Sequence, residues 1–198
     1  MVVTSFLRTP KPLGIRRAVE GDAEPLRELH ARSLRQLAVG HYHASQVEAM
    51  IAAGTLDDTL IADGHYFIAE MRGDIVGCVG WSLRLPGYLA HGVDDQPERA
   101  KPASADEQAE VPRLRALYVD PLHTRRGVAR RLVHYAEADM MAAGYPLVSL
   151  DAMLSAVDLY RALGYRTVSH GMSTLPGNVA FRYVHMRKWL DVAIAAHA

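Results

Sequence analysis

Leu117-Tyr-Val-Asp-Pro-Leu-His-Thr-Arg-Arg-Gly-Val-Ala-Arg-Arg-Leu132 is the stretch on which the fold turns. Leu114 to Val119 reads as a strand, and Asp120-Pro121 stops it. A helix is predicted over Gly127 to Ala143. Its apolar stripe of Ala129, Leu132, Val133, Ala136 and Met140 recurs at the spacing of one helical face. Gly144 is the natural stop. The first turn of a helix carries unpaired backbone N–H groups and the positive end of the dipole, which is what a phosphate site requires. Gly127 removes a side chain that would block close approach, and Ala129 leaves little bulk beside it. Arg125, Arg126, Arg130 and Arg131 can add charge-assisted contacts. The same residues also fit a basic, solvated helix start on an ordinary strand–helix–strand unit. At this level both readings stand. A Gly-x-x-x-x-Gly-Lys-Ser/Thr loop is absent, and so is a Gly-x-Gly-x-x-Gly turn, which argues against the common nucleotide folds.

Downstream, Leu147 to Leu150 reads as a strand, Ser155 to Leu163 as a short helix ended by Gly164. Tyr165 to His170 and Ala180 to Trp189 read as a strand pair around Leu175-Pro176-Gly177-Asn178. Upstream, Gly14 to Ala18 is a short strand. Asp22 is placed to cap a helix with Glu24 and Pro25 in its first turn and Leu26, Leu29 and Leu37 on its stripe. Ser45 to Ala53 suggests a second helix. Tyr66 to Met71 and Ile75 to Leu83 form a hairpin about Arg72-Gly73-Asp74. This is an α/β chain with a mostly antiparallel front half and a parallel unit at its centre. Residues 14–190 are expected to make one domain, 1–13 a lead-in without the long apolar run of a signal peptide, and 191–198 a tail. Periodicity fails from Pro86 to Pro112. That segment carries Asp94, Asp95, Glu98, Asp106, Glu107 and Glu110 against Arg99 and Lys101, and reads as a long acidic loop inside the domain.

Composition narrows the function classes. At 49% hydrophobic residues and 22% charged, a chain of 198 residues can bury a full core without staples. Lysine plus arginine equals aspartate plus glutamate at 22 each, so the basic footprint of a nucleic-acid binder is missing. No apolar run is long enough to span a bilayer. The single cysteine, Cys78, cannot make an internal disulfide, which sets a reducing cytoplasm as the expectation. It lies in the apolar run Ile75 to Trp81 with no activating neighbour, and is read as buried packing rather than as a nucleophile. Trp81 is likewise read as core. His41-Tyr-His43 is a His-x-His pair with no accompanying cluster, so no metal site is expected.

At Val119-Asp120-Pro121 and Gly127-Val128-Ala129 the sequence resembles the GNAT superfamily of acetyl-CoA-dependent N-acetyltransferases. The family carries Val-x-Pro and then Gln/Arg-x-x-Gly-x-Gly/Ala at the start of a long helix; Thr124 stands at the first position of the second motif here. Ala156-Val-Asp-Leu-Tyr-Arg-Ala-Leu-Gly-Tyr165 resembles the family's Ala-x-x-Leu/Phe-Tyr-x-x-Leu-Gly-Phe/Tyr, with Met153 where Asn is frequent. Val184-His-Met-Arg-Lys-Trp-Leu190 is similar to its closing strand. The resemblance covers roughly Ile15 to Leu190. It implies a single-domain mixed sheet, mostly antiparallel, with a central parallel strand pair splayed at the cofactor site and helices on both faces. It implies acetyl-CoA as co-substrate and no metal. The backbone of Leu117, Tyr118 and Val119 would face pantetheine. Thr124, Arg125, Arg126, Gly127, Val128, Ala129 and Arg130 would surround the pyrophosphate, largely through their amides. Tyr160 would be the general acid at the sulfur; from the residues alone it reads as a packed aromatic on a short helix. Family members are often homodimers, which leaves a homodimer open here; the residues themselves do not read out an oligomeric state.

Acetyl transfer needs a neutral amine, a stabilised carbonyl oxygen and a protonated leaving thiolate. No general base stands out. Some relatives have a glutamate early on the central strand, where Arg113 sits, and Glu110, His91, Asp94 and Asp95 are the nearby candidates. The acceptor is expected to be a small-molecule or peptide amine, with the acidic loop on its side. A non-catalytic CoA-binding sensor and a transferase of larger acyl groups are the competing functions.

Overall fold

A computed structural model describes residues 13–84 and 111–191. Most of the lead-in, most of the tail and the bulk of the acidic segment lie outside the described residues. So do His91, Asp94, Asp95 and Glu110. The elements are β1 (Gly14–Arg17), α1 (Ala23–Leu37), α2 (Ala44–Ala52), α3 (Asp58–Ala62), β2 (Tyr66–Met71), β3 (Asp74–Ser82), β4 (Arg113–Val119), α4 (Val128–Ala142), β5 (Leu147–Met153), α5 (Val157–Ala162), β6 (Arg166–Leu175) and β7 (Val179–Trp189). They form one seven-stranded sheet in the order β1-β2-β3-β4-β5-β7-β6. Only β4 and β5 run parallel; every other pair is antiparallel. The expected mixed sheet is therefore present.

The differences from the sequence reading have local causes. Asp22 does not cap α1 with its side chain. Its carboxylate accepts the Val19 N–H at 2.8 Å and both Nη atoms of Arg16, closing a 3₁₀ turn ahead of the helix. Leu37 is exposed, and Leu34 takes the buried place, because an apolar stripe drifts around a straight helix. On α4 the buried first-turn residue is Val128, with Ala129 only partly buried. The helix expected from Ser155 begins as a 3₁₀ turn, Leu154–Ala156, before α5. The short α3 leaves too few residues for a periodicity to register.

Alternation along the strands sends Phe67, Ala69, Leu114, Val148, Leu150, Val184 and Met186 to the face covered by α4 and α5. There they meet Leu132, Val133, Ala136 and Met140. Helix α4 sits close on β3 because residue 77 is glycine. A Cβ there would lie 2.9 Å from Leu132 Cδ1 and 3.0 Å from Val128 Cγ1. The opposite face is covered by α1 and α3 through Leu26, Leu29 and Leu60 on Tyr66, Ile68 and Cys78. Tyr42, Val47 and Met50 pack there on Leu175 and Phe181. A buried charged pair links α4 to the sheet: Glu137, 1% exposed, accepts from Lys188 Nζ at 2.8 and 2.9 Å. Burial of the carboxylate is tolerable because its partner is buried with it. No helix among the described residues is long and apolar enough to cross a membrane.

The feature that positions the site is the β4–β5 seam. The two strands pair at Arg113↔Ser149 alone, reinforced by the Ser149 N–H donating to Pro112 O at 3.0 Å. Beyond that point they diverge. The β3–β4 register slips between Cys78 and Gly80, and Ala116 adopts φ 51°, so β4 carries a bulge. A bulge bends its strand, and no β4–β5 pairing continues past this point.

Candidate active site

At the mouth of the seam β4 runs into the predicted turn. Asp120 accepts the Leu122 N–H at 2.9 Å and starts a 3₁₀ turn, Pro121–His123. Thr124 Oγ1 donates to Pro121 O at 3.1 Å, so its hydroxyl is engaged in the turn itself. Arg125 (φ 61°) and Gly127 (φ 80°) are both left-handed. Backbone of this kind builds concave rows of amides that hold anions. Around a Cβ at Gly127 there would be no heavy atom within 4 Å, so the space over the turn is open. The first bond of α4 runs from the Arg131 N–H to Gly127 O at 3.0 Å. The amides of Val128, Ala129 and Arg130 precede it and have no carbonyl one turn back to bind. Arg125, Arg126 and Arg130 are exposed, and no ion pair engages them among the described residues. These are the requirements of a pyrophosphate cradle, and the residues present fit one.

On its β5 side, β4 has no strand partner after Arg113. Leu117, Tyr118 and Val119 therefore border the opening with backbone, as required of groups that would pair with an extended pantetheine chain. Their side chains alternate. Leu117 and Val119 join the α4 core, whereas Tyr118 turns to the other face and stacks on His30 at 4.0 Å between ring centroids. Tyr160 lies in α5 on the α4 side, 6% exposed, with its ring edge-on to Tyr165 at 5.4 Å. It is a packed aromatic, and the same packing fixes where its hydroxyl stands. Burial, with the Glu137 and Tyr160 groups adding to it, pushes the Tyr165 hydroxyl well above the usual phenol range. It stays protonated.

The face covered by α1 was read much less completely from sequence. Asp151 is 5% exposed at its side chain. Its Oδ2 accepts from Arg113 Nη1 at 2.9 Å across the seam, and its Oδ1 lies 2.9 Å from His185 Nδ1 on β7. Arg115 donates to Asp57 at 2.8 Å and to Ser82 Oγ at 3.1 Å. Under α1, His30 Nε2 lies 2.8 Å from Tyr66 Oη and 3.3 Å from Cys78 Sγ, and His30 Nδ1 lies 3.0 Å from Thr55 Oγ1. Burial pushes the His30 imidazole down to about 3 and the Cys78 thiol up to about 12. A neutral histidine beside a protonated thiol is a packed cluster, not an activated nucleophile. Asp151 and His185 escaped the sequence reading. The available signal was period two: in β5 the apolar Val148, Leu150 and Ala152 alternate with Ser149, Asp151 and Met153, so a carboxylate is placed on a mostly covered face.

Two smaller readings resolve as follows. Trp81 is buried, with Nε1 donating to Asp139 Oδ2 at 2.8 Å. His41 and His43 are exposed, while Tyr42 between them is buried, donating to Arg182 O at 2.6 Å and accepting the Leu154 N–H at 2.9 Å. Among the described residues no three or more His, Cys, Asp or Glu side chains gather in a metal-binding group.

Comparison with known proteins bears on the fold and the family. A GCN5-related N-acetyltransferase from Rhodopseudomonas palustris superposes with a TM-score of 0.69 at 22% identity, covering 92% of this chain and 98% of that one. PaiA N-acetyltransferase from Thermoplasma acidophilum, in complex with coenzyme A, superposes at 0.63 with 16% identity, covering 90% and 99%. A polyamine N-acetyltransferase from Drosophila melanogaster superposes at 0.59 with 19% identity, covering 90% and 100%. No curated protein matches by sequence. At these identities the likeness is one of fold. The model of the acetyltransferase (GNAT) family matches residues 24–165, most of the chain and both blocks around Gly127 and Tyr160, and the protein therefore belongs to the GNAT acetyltransferase family.

Proposed function

We propose that the protein moves an acetyl group from acetyl-CoA to a primary amine by direct attack within a ternary complex. The observation that carries this reading is the β4–β5 seam, paired only at Arg113↔Ser149 and open towards the Gly127 turn. The co-substrate supplies an activated thioester. The amides of Arg125 to Arg130, with the helix dipole and the exposed arginines, bind its diphosphate. The unpaired β4 edge at Leu117 to Val119 orients the pantetheine arm and donates to the carbonyl oxygen as it gains charge. Tyr160 donates its proton to the departing sulfur. Holding both reactants in one seam supplies much of the rate. The acceptor is a small amine that enters from the face opposite α4, where Asp57 and Asp151 stand, each held by an arginine. Amines of this type are the substrates of the Drosophila relative, a polyamine N-acetyltransferase.

The test is thiol release from acetyl-CoA with a panel of agmatine, polyamines, lysine-containing peptides and arylalkylamines, beside calorimetric titration of CoA. Turnover with one or more of these amines is the expected result. CoA binding without turnover across the panel replaces the enzyme by a sensor. Turnover with longer acyl-CoA donors and none with acetyl-CoA replaces the acyl group.

A further inference from the structure

The fold places a carboxylate–imidazole pair on the face of the seam opposite the cofactor helix. Asp151 lies two residues beyond Ser149, the last point at which β4 and β5 pair, and hence roughly 6.6 Å into the opening. Its carboxylate is almost fully buried, a costly position for a charge without partners. It has two, Arg113 from β4 and His185 from β7, each at 2.9 Å. The side chain of His185 is 15% exposed, so the imidazole is held by the sheet and still reachable. With Nδ1–H donated to Asp151, Nε2 is the lone-pair nitrogen. The other polar groups sharing its face include Arg115 on β4 with its partner Asp57, Ser149 on β5, Tyr183 and Arg187 on β7 and Ser169 opposite on β6.

We propose that His185 is the general base that takes a proton from the acceptor ammonium, and that Asp151, itself held by Arg113, is the residue that positions it. The inference rests on the acetyl-transfer reading above. The ammonium loses one proton to His185 Nε2, which passes it to water. The freed lone pair forms the C–N bond, and the C–S bond breaks with its electrons going to sulfur. Sulfur takes the Tyr160 proton, and the second nitrogen proton restores the phenol. One proton is released per acetyl group transferred. Base and acid thus approach the reacting carbon from opposite faces of one sheet.

The experiment measures kcat and KM for the best amine at saturating acetyl-CoA from about pH 6 to about pH 9, with CoA affinity and melting temperature recorded for each variant. General bases are worth about 10²–10⁴-fold. His185→Gln, which still donates to Asp151, is expected to lose about 10²-fold in kcat/KM at neutral pH with CoA affinity retained. The loss should shrink as pH rises, and should nearly vanish for an alkoxyamine acceptor that is already neutral. Asp151→Asn should reproduce this profile, since an amide facing Nδ1 favours the tautomer with its proton on Nε2. A folded His185→Gln protein with wild-type turnover across the pH range overturns the inference and leaves the acetyl-transfer reading intact. So does a loss equal for basic and neutral acceptors, which marks a structural role. A wild-type protein that binds acetyl-CoA yet acetylates no amine overturns both.

Discussion

On the α4 side of the β4–β5 seam, the groups offered to a ligand are mainly backbone. They are the amides of the Arg125–Arg130 turn, the unpaired edge of β4, and Gly127 with no side chain at all. On the α1 side they are side chains: Asp57, Arg113, Arg115, Asp151 and His185, drawn from β4, β5, β7 and the segment before α3. A backbone site depends on conformation, and conformation is set by neighbours in sequence. A side-chain site on a sheet depends on register between strands far apart in the chain. Asp151 and His185 are 34 residues apart and meet only because β5 pairs with β7 at that level. In the proposed reaction the first face takes the co-substrate and the second the acceptor.

The sharpest way to break this comparison is at Gly127. A Cβ there meets nothing, so Gly127→Ala should cost only the left-handed strain, about 1–2 kcal/mol, and keep CoA binding. Gly127→Glu carries the same strain and adds an anion. It should weaken CoA binding by at least about 100-fold, read by calorimetry on a folded protein. Equal affinity in the two variants removes the pyrophosphate from this turn. The next effect in size concerns Tyr160. Tyr160→Phe keeps the packing on Tyr165 and loses the proton, and should lower turnover by about 10²-fold at saturating acetyl-CoA, with melting temperature and CoA affinity little changed. Wild-type turnover in the Phe variant makes Tyr160 a core residue and leaves water to protonate the thiolate.

Two smaller effects test how firmly the α1 face is packed. The His30 imidazole is pushed down from 6.5 to about 3 by burial. Between those values the unfolded chain binds a proton that the folded one does not. Stability should therefore fall as pH drops below 6.5, by up to about 1.4 kcal/mol per pH unit, with no contribution from His30 above it. Urea unfolding as a function of pH should show this slope, and His30→Gln should flatten it. An unchanged slope would mean that His30 is not the acid-sensitive group. The smallest expected effect is at Cys78, whose thiol is pushed up to about 12 by burial. Thiol reagents should leave the folded protein unmodified and fully able to bind CoA, and react only after unfolding. Rapid labelling of the native state would show that this face opens.

The legibility of the molecule follows the same division. The strand at Leu114–Val119, the turn and the helix beyond it were readable because apolar spacing, an Asp-Pro stop and a left-handed glycine are local signals. The hairpin at Arg72-Gly73 was readable for the same reason, with φ 60° and 95° at its two central residues. Glu137 was not, because a charge on a helix reads as surface until Lys188 arrives from β7 to pair with it. Nor was the bulge at Ala116, since alanine carries no preference for φ 51° and takes it here under the mismatch between β3 and β4.

By itself, then, the sequence determined the order of the elements, the turn that opens α4 at Gly127 and the family whose motifs it carries, all consequences of contacts within about one helical turn or one strand. Only the tertiary structure decided where the sheet opens, that Cys78 and His30 are walled in together, and that Arg113, Asp151 and His185 converge beside the opening. Those outcomes depend on strand register and on the close approach of α4 at Gly77. Both are settled by packing between segments that carry no local record of one another.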